Sequence, residues 1–318
     1  MRKLLIFNDT SRYQHYGCDL VMESVFRNLR NRKQAPLSVH WVGTAVETRF
    51  DKIIRRHPDA AAIIVNGEGV IHHDRKHAKG LASLARRAGA NGLPAYLINA
   101  ALFDNSAALY RDLAHYQAVY VRDGASLREA RVHGIDAQLV PDLSFDSIAA
   151  FALPDRTRAG TLVTDSVHPA LSAELAALAR QTQSGWMPMR RRIAMPASWM
   201  RWFGAQRFVR RVAACEQVLT GRFHAVTTCI ATRTPFLAMS SNTPKIEALL
   251  DDVFGQDERV VPSLAALRER LQQGATTFRE VEMQAIAAYL TRGTASTRQM
   301  FDHVAHATAS QQNVEPSA

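Results

Sequence analysis

Short strand-like runs alternate with helix-like stretches along the first half of this 318-residue chain. Each apolar or β-branched run is followed by an amphipathic stretch of helical period. The runs are KLLIFND (3–9), SVHWVGT (38–44), AAIIVNG (61–67), AYLINA (95–100), AVYVRD (118–123) and AQLVPD (137–142). Strands that alternate with helices of this length form βαβ units, in which the strands run parallel. The pattern predicts an α/β fold with a mostly parallel sheet.

The alternation stops near residue 146 and restarts at residue 161, which predicts two domains. The segment between them, SIAAFALPDRTRAG, has no clear period and contains Pro154 and Gly160, as linkers do. Strand-like runs then recur at 161–166, 217–221 and 235–240, with helical patterns after each. We expect an N-terminal Rossmann-like domain over 1–152 and a C-terminal one over 153–318.

The C-terminal residues add one long helical pattern, from about Phe278 to His306. We expect this helix to pack back on the N-terminal domain and a disordered tail to follow it. No run approaches the ~18 consecutive apolar residues of a membrane span, and the N-terminal apolar run is too short for a signal peptide. The expected location is therefore the cytoplasm. Three cysteines without paired spacing predict neither disulfides nor a zinc site.

The net charge of +10 favours anionic partners. Between Leu175 and Cys215 there is no acidic residue, and the segment Arg190–Arg211 interleaves arginines with tryptophan and phenylalanine. Such a segment suits peripheral contact with an anionic membrane, at the inner face of the cytoplasmic membrane. It also suits a single nucleic-acid strand, but no nucleic-acid motif accompanies it and we expect no such partner. A helix that covers the core with its aromatic residues is the structural alternative.

Polar residues follow the predicted strands, where doubly wound sheets bind ligands. In LTGRFHAVTT, Thr220 and Gly221 end a strand, and a helix opening near Phe223 presents N–H groups that favour an anion. Arg222 can hold that anion with its planar guanidinium, and His224 can donate or accept a proton. The alternative is that Arg222 pairs with a carboxylate and His224 fills a gap in the core.

Three blocks of the sequence resemble the polysaccharide pyruvyl transferase family. VLTGRFHAVTTCIATRTPFLAMSSNTPKIEALL is similar to its C-terminal signature, and VYVRDGASLREARVHGIDAQLVPDLSF to its middle block. HYGCDLVMESV, with Gly17 and Asp19, is similar to its glycine-bearing helix start. The blocks span residues 15 to about 251, most of the chain.

The resemblance implies two Rossmann-like halves that face each other across a cleft, as in GT-B glycosyltransferases. It implies transfer of a pyruvyl group from phosphoenolpyruvate to a sugar of a bacterial surface polysaccharide or its lipid-linked precursor. His224 would protonate the enol, Arg222, Arg122 and Lys245 would bind the donor, and Asp19 would orient or deprotonate an acceptor hydroxyl. No metal or cofactor is expected. Further candidates are Thr220, Gly221, Ser241 and Asn242 for the donor, and Asn66, His72, His73 and Asp142 for the acceptor.

Glu68 departs from the family pattern, because VNGEGVIHHD places it where many members have a glycine run. In a loop after the third strand, this carboxylate would lie near an anionic donor, and the role expected of it there is that of a base. That favours a second candidate, a glycosyltransferase that uses a CMP-activated 2-keto sugar acid of the Kdo or sialic acid type. Alternatively, Glu68 caps a turn. A third candidate is a non-catalytic membrane- or nucleic-acid-binding protein. The sequence predicts no oligomeric state.

Overall fold

The computed structural model describes residues 3–39, 46–153, 157–191, 198–255, 258–273 and 277–310. Within those ranges the strands are β1 (Lys3–Phe7), β2 (Ala35–Val39), β3 (Ala60–His72), β4 (Ala95–Phe103), β5 (Ala118–Val121), β6 (Ala137–Leu139), β7 (Thr161–Ser166), β8 (Gly185–Trp186), β9 (Gln217–Gly221), β10 (Phe236–Met239) and β11 (Val260–Val261). The helices are α1 (Tyr16–Asn31), α2 (Val46–Arg56), α3 (Lys76–Gly89), α4 (Ala107–Leu113), α5 (Gly124–Val132), α6 (Ser144–Ala149), α7 (Pro169–Gln181), α8 (Ser198–Ala213), α9 (Phe223–Thr232), α10 (Lys245–Phe254), α11 (Leu264–Gln272) and α12 (Glu280–Ser310). None of these helices is long and apolar enough to cross a bilayer.

The chain forms two compact units, each built from separate stretches of sequence. Unit 1 comprises Met1–Asp9, Val25–Pro141 and Ala295–Ala318, and unit 2 comprises Thr10–Ser24 and Asp142–Thr294. The units thus differ in extent from the predicted domain spans. Helices α1 and α12 are each divided, with one end in unit 1 and the other end in unit 2. The predicted tail begins after about Ala307, whereas α12 continues to Ser310, and residues 311–318 lie outside the described residues.

Unit 1 contains a six-stranded sheet in the order β2-β1-β3-β4-β5-β6, and its strand pairs are parallel. Its core includes apolar residues of β1, β3, β4 and β5, which pack with residues of α3 and α4. The C-terminal part of α12 packs on this unit, where Arg32 Nε donates to Asp302 Oδ1 at 2.7 Å. The predicted strand at 38–44 is described only as far as Val39, the end of β2.

The expectation that Glu68 lies in a loop is wrong. Strand β3 continues through Glu68 to His72, and Glu68 pairs with Ala100 of β4. The pairing register shifts between Glu68 and Ile71, and Glu68 has a φ of 41°. This bulge allows β3 to continue through the glycines on either side of Glu68. In the sequence, those glycines indicate the end of a strand.

Unit 2 contains a five-stranded sheet in the order β11-β10-β9-β7-β8, again with parallel pairs. Residues of α8, α9 and α10 form its larger core, together with Ile286 and Tyr289 of α12. The predicted strands at 161–166 and 217–221 coincide with β7 and β9. Strands β8 and β11 were not predicted, because two residues are too few to show a period.

The two sheets share one winding order. In each sheet the second strand lies at one edge, the first lies beside it, and the later strands extend to the other side. The direction of winding therefore reverses between β1 and β3 in unit 1 and between β7 and β9 in unit 2. Ligands of doubly wound sheets bind at such switch points, beyond the carboxyl ends of the strands. The fold thus identifies one candidate location in each unit.

Strands β7 and β9 approach each other closely at the switch point of unit 2. An added Cβ at Gly221 would lie 2.6 Å from the Cβ of Ser166. Gly221→Ala is therefore expected to lower the free energy of unfolding by about 1–3 kcal/mol, measured by urea denaturation. The matched control is Gly89→Ala at the end of α3, where nothing lies within 4 Å. Equal stability of the two variants would contradict this packing.

Candidate functional site

Arg222 lies at the switch point of unit 2, directly after β9 and before α9. Its guanidinium forms an ion pair with Asp165 of β7, and Asp165 Oδ1 also accepts a hydrogen bond from the Met189 amide at 2.8 Å. The Arg222 amide donates to Thr220 Oγ1 at 2.9 Å. The buried Nε of Arg222 has no hydrogen-bond partner among the described residues. Arg222 is thus fixed in place and keeps one donor for a ligand.

His224 follows in the first turn of α9, and 7% of its surface is exposed. Its Nε2 lies 3.6 Å from Asp142 Oδ2, and it makes no hydrogen bond to a described residue. Asp142 is buried, and its Oδ1 accepts from the Ser144 amide at 3.0 Å. The structure therefore brings Asp142, predicted on the acceptor side, next to His224. A carboxylate at this distance can orient the imidazole, since catalytic hydrogen bonds often tighten only when substrate binds.

The first turn of α1 packs directly on His224. An added Cβ at Gly17 would lie 2.1 Å from His224 Cγ, so no other residue fits here without displacing the ring. The Tyr16 amide donates to the Met189 carbonyl at 3.1 Å, and the Arg191 amide donates to the Gln14 carbonyl at 2.8 Å. Residues 189–191 thus hold the start of α1 against the imidazole.

His15 was missed in the sequence analysis, although it immediately precedes this helix. Its ring centroid lies 5.5 Å from that of His224, and its Nδ1 accepts from the Gly17 amide at 3.1 Å. Burial lowers the pKa of His15 well below its ordinary value, and the positive charges of His224, Arg222, Arg190 and Arg191 lower it further. His15 is therefore neutral at pH 7, and its Nε2 carries the proton. The feature of the sequence that could have identified His15 is its position two residues before Gly17.

Asp19 is buried and forms an ion pair with Arg191, while Arg201 Nε lies 4.0 Å from its other oxygen. The Arg191 guanidinium also lies over the Tyr16 ring, 5.3 Å from its centroid. Two buried nitrogens of Arg191, Nε and Nη2, have no hydrogen-bond partner among the described residues. The structure thus gives Asp19 two arginine neighbours, and its predicted contact with an acceptor hydroxyl stays a prediction.

Of the remaining predicted donor residues of unit 2, two end β9 and three follow its neighbour β10. Lys245 Nζ donates to Asn242 Oδ1 at 2.7 Å, and Ser241 Oγ donates to the same oxygen at 3.2 Å. Thr220 Oγ1 lies 2.5 Å from Thr164 Oγ1. Thr220 and Gly221 therefore support the local packing, whereas Ser241, Asn242 and Lys245 form a polar group at the start of α10.

Unit 1 carries its own polar cluster at its switch point. Asn8 follows β1, and its Nδ2 donates to the Asn66 carbonyl at 2.6 Å, while its Oδ1 lies 3.2 Å from His77 Nε2. Asn66 Nδ2 donates to Glu68 Oε1 at 3.2 Å. Burial lowers the pKa of His77, and the carboxylate of Glu68 opposes that effect. His77 and Asn8 were not among the predicted site residues, and they join Asn66 and Glu68 here.

Two further predicted residues of unit 1 form a histidine pair at the end of β3. The Nδ1 atoms of His72 and His73 are 2.7 Å apart, and His73 Nε2 lies 3.5 Å from Asp104 Oδ2. Arg122, predicted to bind the donor, is buried after β5. In the described part of the chain, no group of three histidine, cysteine or acidic residues is placed to hold a metal ion.

Comparison with known structures shows the fold class. The chain resembles a putative UDP-N-acetylglucosamine 2-epimerase from Listeria monocytogenes at 9% identity, with a TM-score of 0.57 and coverage of 95% of this chain and 97% of the other. It resembles an uncharacterized protein from Klebsiella pneumoniae at 7% identity, with a TM-score of 0.53 and coverage of 82% and 92%. At these identities the likeness shows the fold alone. It confirms the predicted GT-B-like α/β class with two mostly parallel sheets.

The sequence model of the family described as polysaccharide pyruvyl transferase matches residues 15–243. The chain belongs to this family, and the resemblance found in its motifs is confirmed. The match begins at His15 and includes Arg222 and His224. No curated protein sequence matches the chain. Membership of the family makes the protein a transferase.

The lowered pKa of His15 gives stability a defined pH dependence. Because the pKa of the folded state lies below that of the unfolded chain, near 6.5, protonation favours unfolding. The free energy of unfolding should fall as the pH is lowered below about 6.5. His15→Gln should reduce this slope in urea denaturation series, whereas His115→Gln, at an exposed histidine, should keep it. An unchanged slope in His15→Gln would contradict the account.

Proposed function

We propose that this transferase moves a pyruvyl group from phosphoenolpyruvate to a sugar of a bacterial surface polysaccharide or its lipid-linked precursor, and that unit 2 binds the donor. One observation carries the proposal. At the unit 2 switch point, buried polar nitrogens of His224, Arg222 and Arg191 have no hydrogen-bond partner among the described residues. These nitrogens can donate hydrogen bonds to a ligand at the position where doubly wound sheets bind one.

The charge of this cluster matches the proposed donor. Phosphoenolpyruvate carries a carboxylate and a phosphate, and Arg222 is suited to bind either group through its planar guanidinium. The start of α9 adds backbone N–H groups that favour an anion. Burial is the largest cause of the lowered pKa of His15, and the positive charges of His224, Arg222, Arg190 and Arg191 lower it further. A neutral His15 can donate its Nε2–H to an anionic oxygen without adding a charge.

The reaction needs one acid, fixed cations and a base for the acceptor. In the proposed mechanism, protonated His224 donates a proton to the methylene carbon, which becomes the methyl group of the product. An acceptor oxygen bonds to the central carbon, the bond from that carbon to the phosphate oxygen breaks, and a second hydroxyl closes the cyclic ketal. The base takes up the hydroxyl protons as the two C–O bonds form and passes them on, so that one restores protonated His224 and the other leaves on the phosphate. Asp142 orients His224, and Arg222 stabilises the departing charge.

For the acceptor, we propose that the polar cluster of unit 1 binds hydroxyl groups. Asn8, Asn66, Glu68 and His77 combine amides, a carboxylate and an imidazole, which are groups that hydrogen-bond neutral hydroxyls. Asn8 and Glu68 hold left-handed backbone conformations, with φ values of 58° and 41°. Such conformations cost about 1–3 kcal/mol each and cluster at functional sites. Glu68 is the proposed base, and His77 is its neighbour in this cluster.

A glycosyltransferase that uses a CMP-activated sugar acid is the second candidate, and Glu68 was the residue that favoured it. Both reactions require a base for an acceptor hydroxyl, so a buried carboxylate suits either one. The family match supports pyruvyl transfer. The identity of the stabilising ligand separates the two functions.

A thermal-shift measurement tests the donor. Phosphoenolpyruvate should raise the melting temperature of the protein, because a ligand of the folded state at ~100 times its Kd adds about 2.7 kcal/mol of stability. CMP should not raise it. Arg222→Ala should abolish the shift, and Arg180→Ala, which removes an exposed arginine at the end of α7, should keep it. Stabilisation by CMP alone would make the protein a sugar-acid glycosyltransferase instead.

A second measurement tests Glu68 as the base. Phosphate release from phosphoenolpyruvate, with a lipid-linked oligosaccharide fraction as acceptor, should fall by about 10²- to 10⁴-fold in Glu68→Gln. The thermal shift with phosphoenolpyruvate should persist, because Glu68 lies in unit 1. Asp136→Asn, at an exposed carboxylate of the same unit, is the control. Wild-type phosphate release in Glu68→Gln would show that Glu68 is not the base.

A further inference from the structure

Helix α8 presents two opposite faces of different chemistry. Its buried face consists of Ala205, Phe208, Val209 and Val212, which are fully inaccessible to solvent. Its outer face carries Trp199, Phe203, Arg207 and Arg210, which are exposed. At 3.6 residues per turn, these four side chains lie within an arc of about 80°, centred opposite the buried face. We call these four residues the outer stripe.

The two aromatic residues of the outer stripe are unusually accessible. Trp199 is 63% exposed and Phe203 is 61% exposed, and their rings form an edge-to-face pair with centroids 6.0 Å apart. The neighbouring Trp202 instead packs on Phe151, with ring centroids 4.7 Å apart. Trp202 is therefore packed against another aromatic ring, whereas the rings of Trp199 and Phe203 remain in solvent. Adjacent exposed aromatic rings indicate an interaction surface.

The charged residues of α8 itself all have one sign. No acidic residue occurs between Leu175 and Cys215. Arg207 and Arg210 are exposed, and neither forms an ion pair with a carboxylate of the described residues. Arg201, on the same helix, approaches the buried Asp19 instead. The stripe thus combines aromatic rings at the first half of the helix with solvated guanidinium groups at its second half.

We propose that the outer stripe of α8 docks this protein on an anionic lipid bilayer. Tryptophan and phenylalanine insert at the boundary of headgroups and acyl chains, while exposed arginines pair with anionic headgroups. Charge complementarity favours an acidic lipid surface over a second copy of this chain, because a second copy of the stripe supplies no carboxylate to pair with the arginines. Residues 192–197 of the predicted membrane segment lie outside the described residues and are not part of the proposal.

Docking is independent of the proposed reaction, since the stripe contains none of the residues assigned to donor or acceptor. If the acceptor is lipid-linked, docking brings unit 2 to the surface that carries it. The test therefore uses binding alone and needs neither phosphoenolpyruvate nor an acceptor.

The full chain is sedimented with vesicles of phosphatidylcholine alone and of equal parts phosphatidylcholine and phosphatidylglycerol. The protein should bind the anionic vesicles, and added salt should weaken the binding. The double variant Trp199→Ala/Phe203→Ala and the double variant Arg207→Gln/Arg210→Gln should each lose at least about tenfold in affinity. Val132→Ser, which changes a residue 80% exposed on unit 1, should bind as the wild type does. All variants change exposed side chains, and melting temperatures check that they fold.

Three results would overturn the proposal. The first is wild-type vesicle binding by both double variants. The second is self-association of the wild type in sedimentation equilibrium, lost in Trp199→Ala/Phe203→Ala, without vesicle binding. The third is binding of a single-stranded oligonucleotide, but not of vesicles, that depends on Arg207 and Arg210. Failure of vesicle binding would leave the phosphoenolpyruvate measurements unaffected, so the two proposals are tested separately.

Discussion

The candidate site of unit 2 depends on one steric contact, the packing of His224 on Gly17. A Cβ at residue 17 would lie 2.1 Å from the imidazole, so the helix start and the histidine can occupy their positions only with glycine there. The same helix start is held by backbone hydrogen bonds from 189–191 and by the ion pair of Asp19 with Arg191. Together these contacts fix the imidazole on the side that faces Asp142 and His15. Preorganised groups of this kind stabilise charge in a transition state without further rearrangement.

The electrostatics of the site depend on which of its arginines are paired with carboxylates. Asp165 pairs with Arg222 and Asp19 pairs with Arg191, so each arginine is anchored without being fully hydrogen-bonded. Burial of His15 and the positive charge around it together lower its pKa, so the imidazole is neutral. The anchored arginines, together with the neutral His15 as a hydrogen-bond donor, suit a small, highly charged anion. Unit 1 instead joins amides, an imidazole and one carboxylate, which suits hydroxyl groups.

The sequence predicted the features that local periodicity determines. Strands β7 and β9 match their predicted spans, and Arg222 and His224 occupy the predicted strand-to-helix turn. It did not predict contacts that depend on long-range packing. His15, Asp165 and Asp142 lie far from His224 in sequence, and only the parallel sheet order and the return of 189–191 bring them together. Glu68 was misplaced for a related reason, because a bulge that pairs with β4 allows β3 to continue past two glycines.

A crystal structure of the protein with phosphoenolpyruvate, or with a non-reactive analogue of it, would show whether unit 2 binds the donor. We expect the ligand to lie at the switch point between β7 and β9, with an anionic group on Arg222 and its methylene carbon in contact with His224. We also expect His15 to donate a hydrogen bond to the ligand. A ligand bound elsewhere in unit 2, or bound with His224 remote from the methylene carbon, would contradict the account.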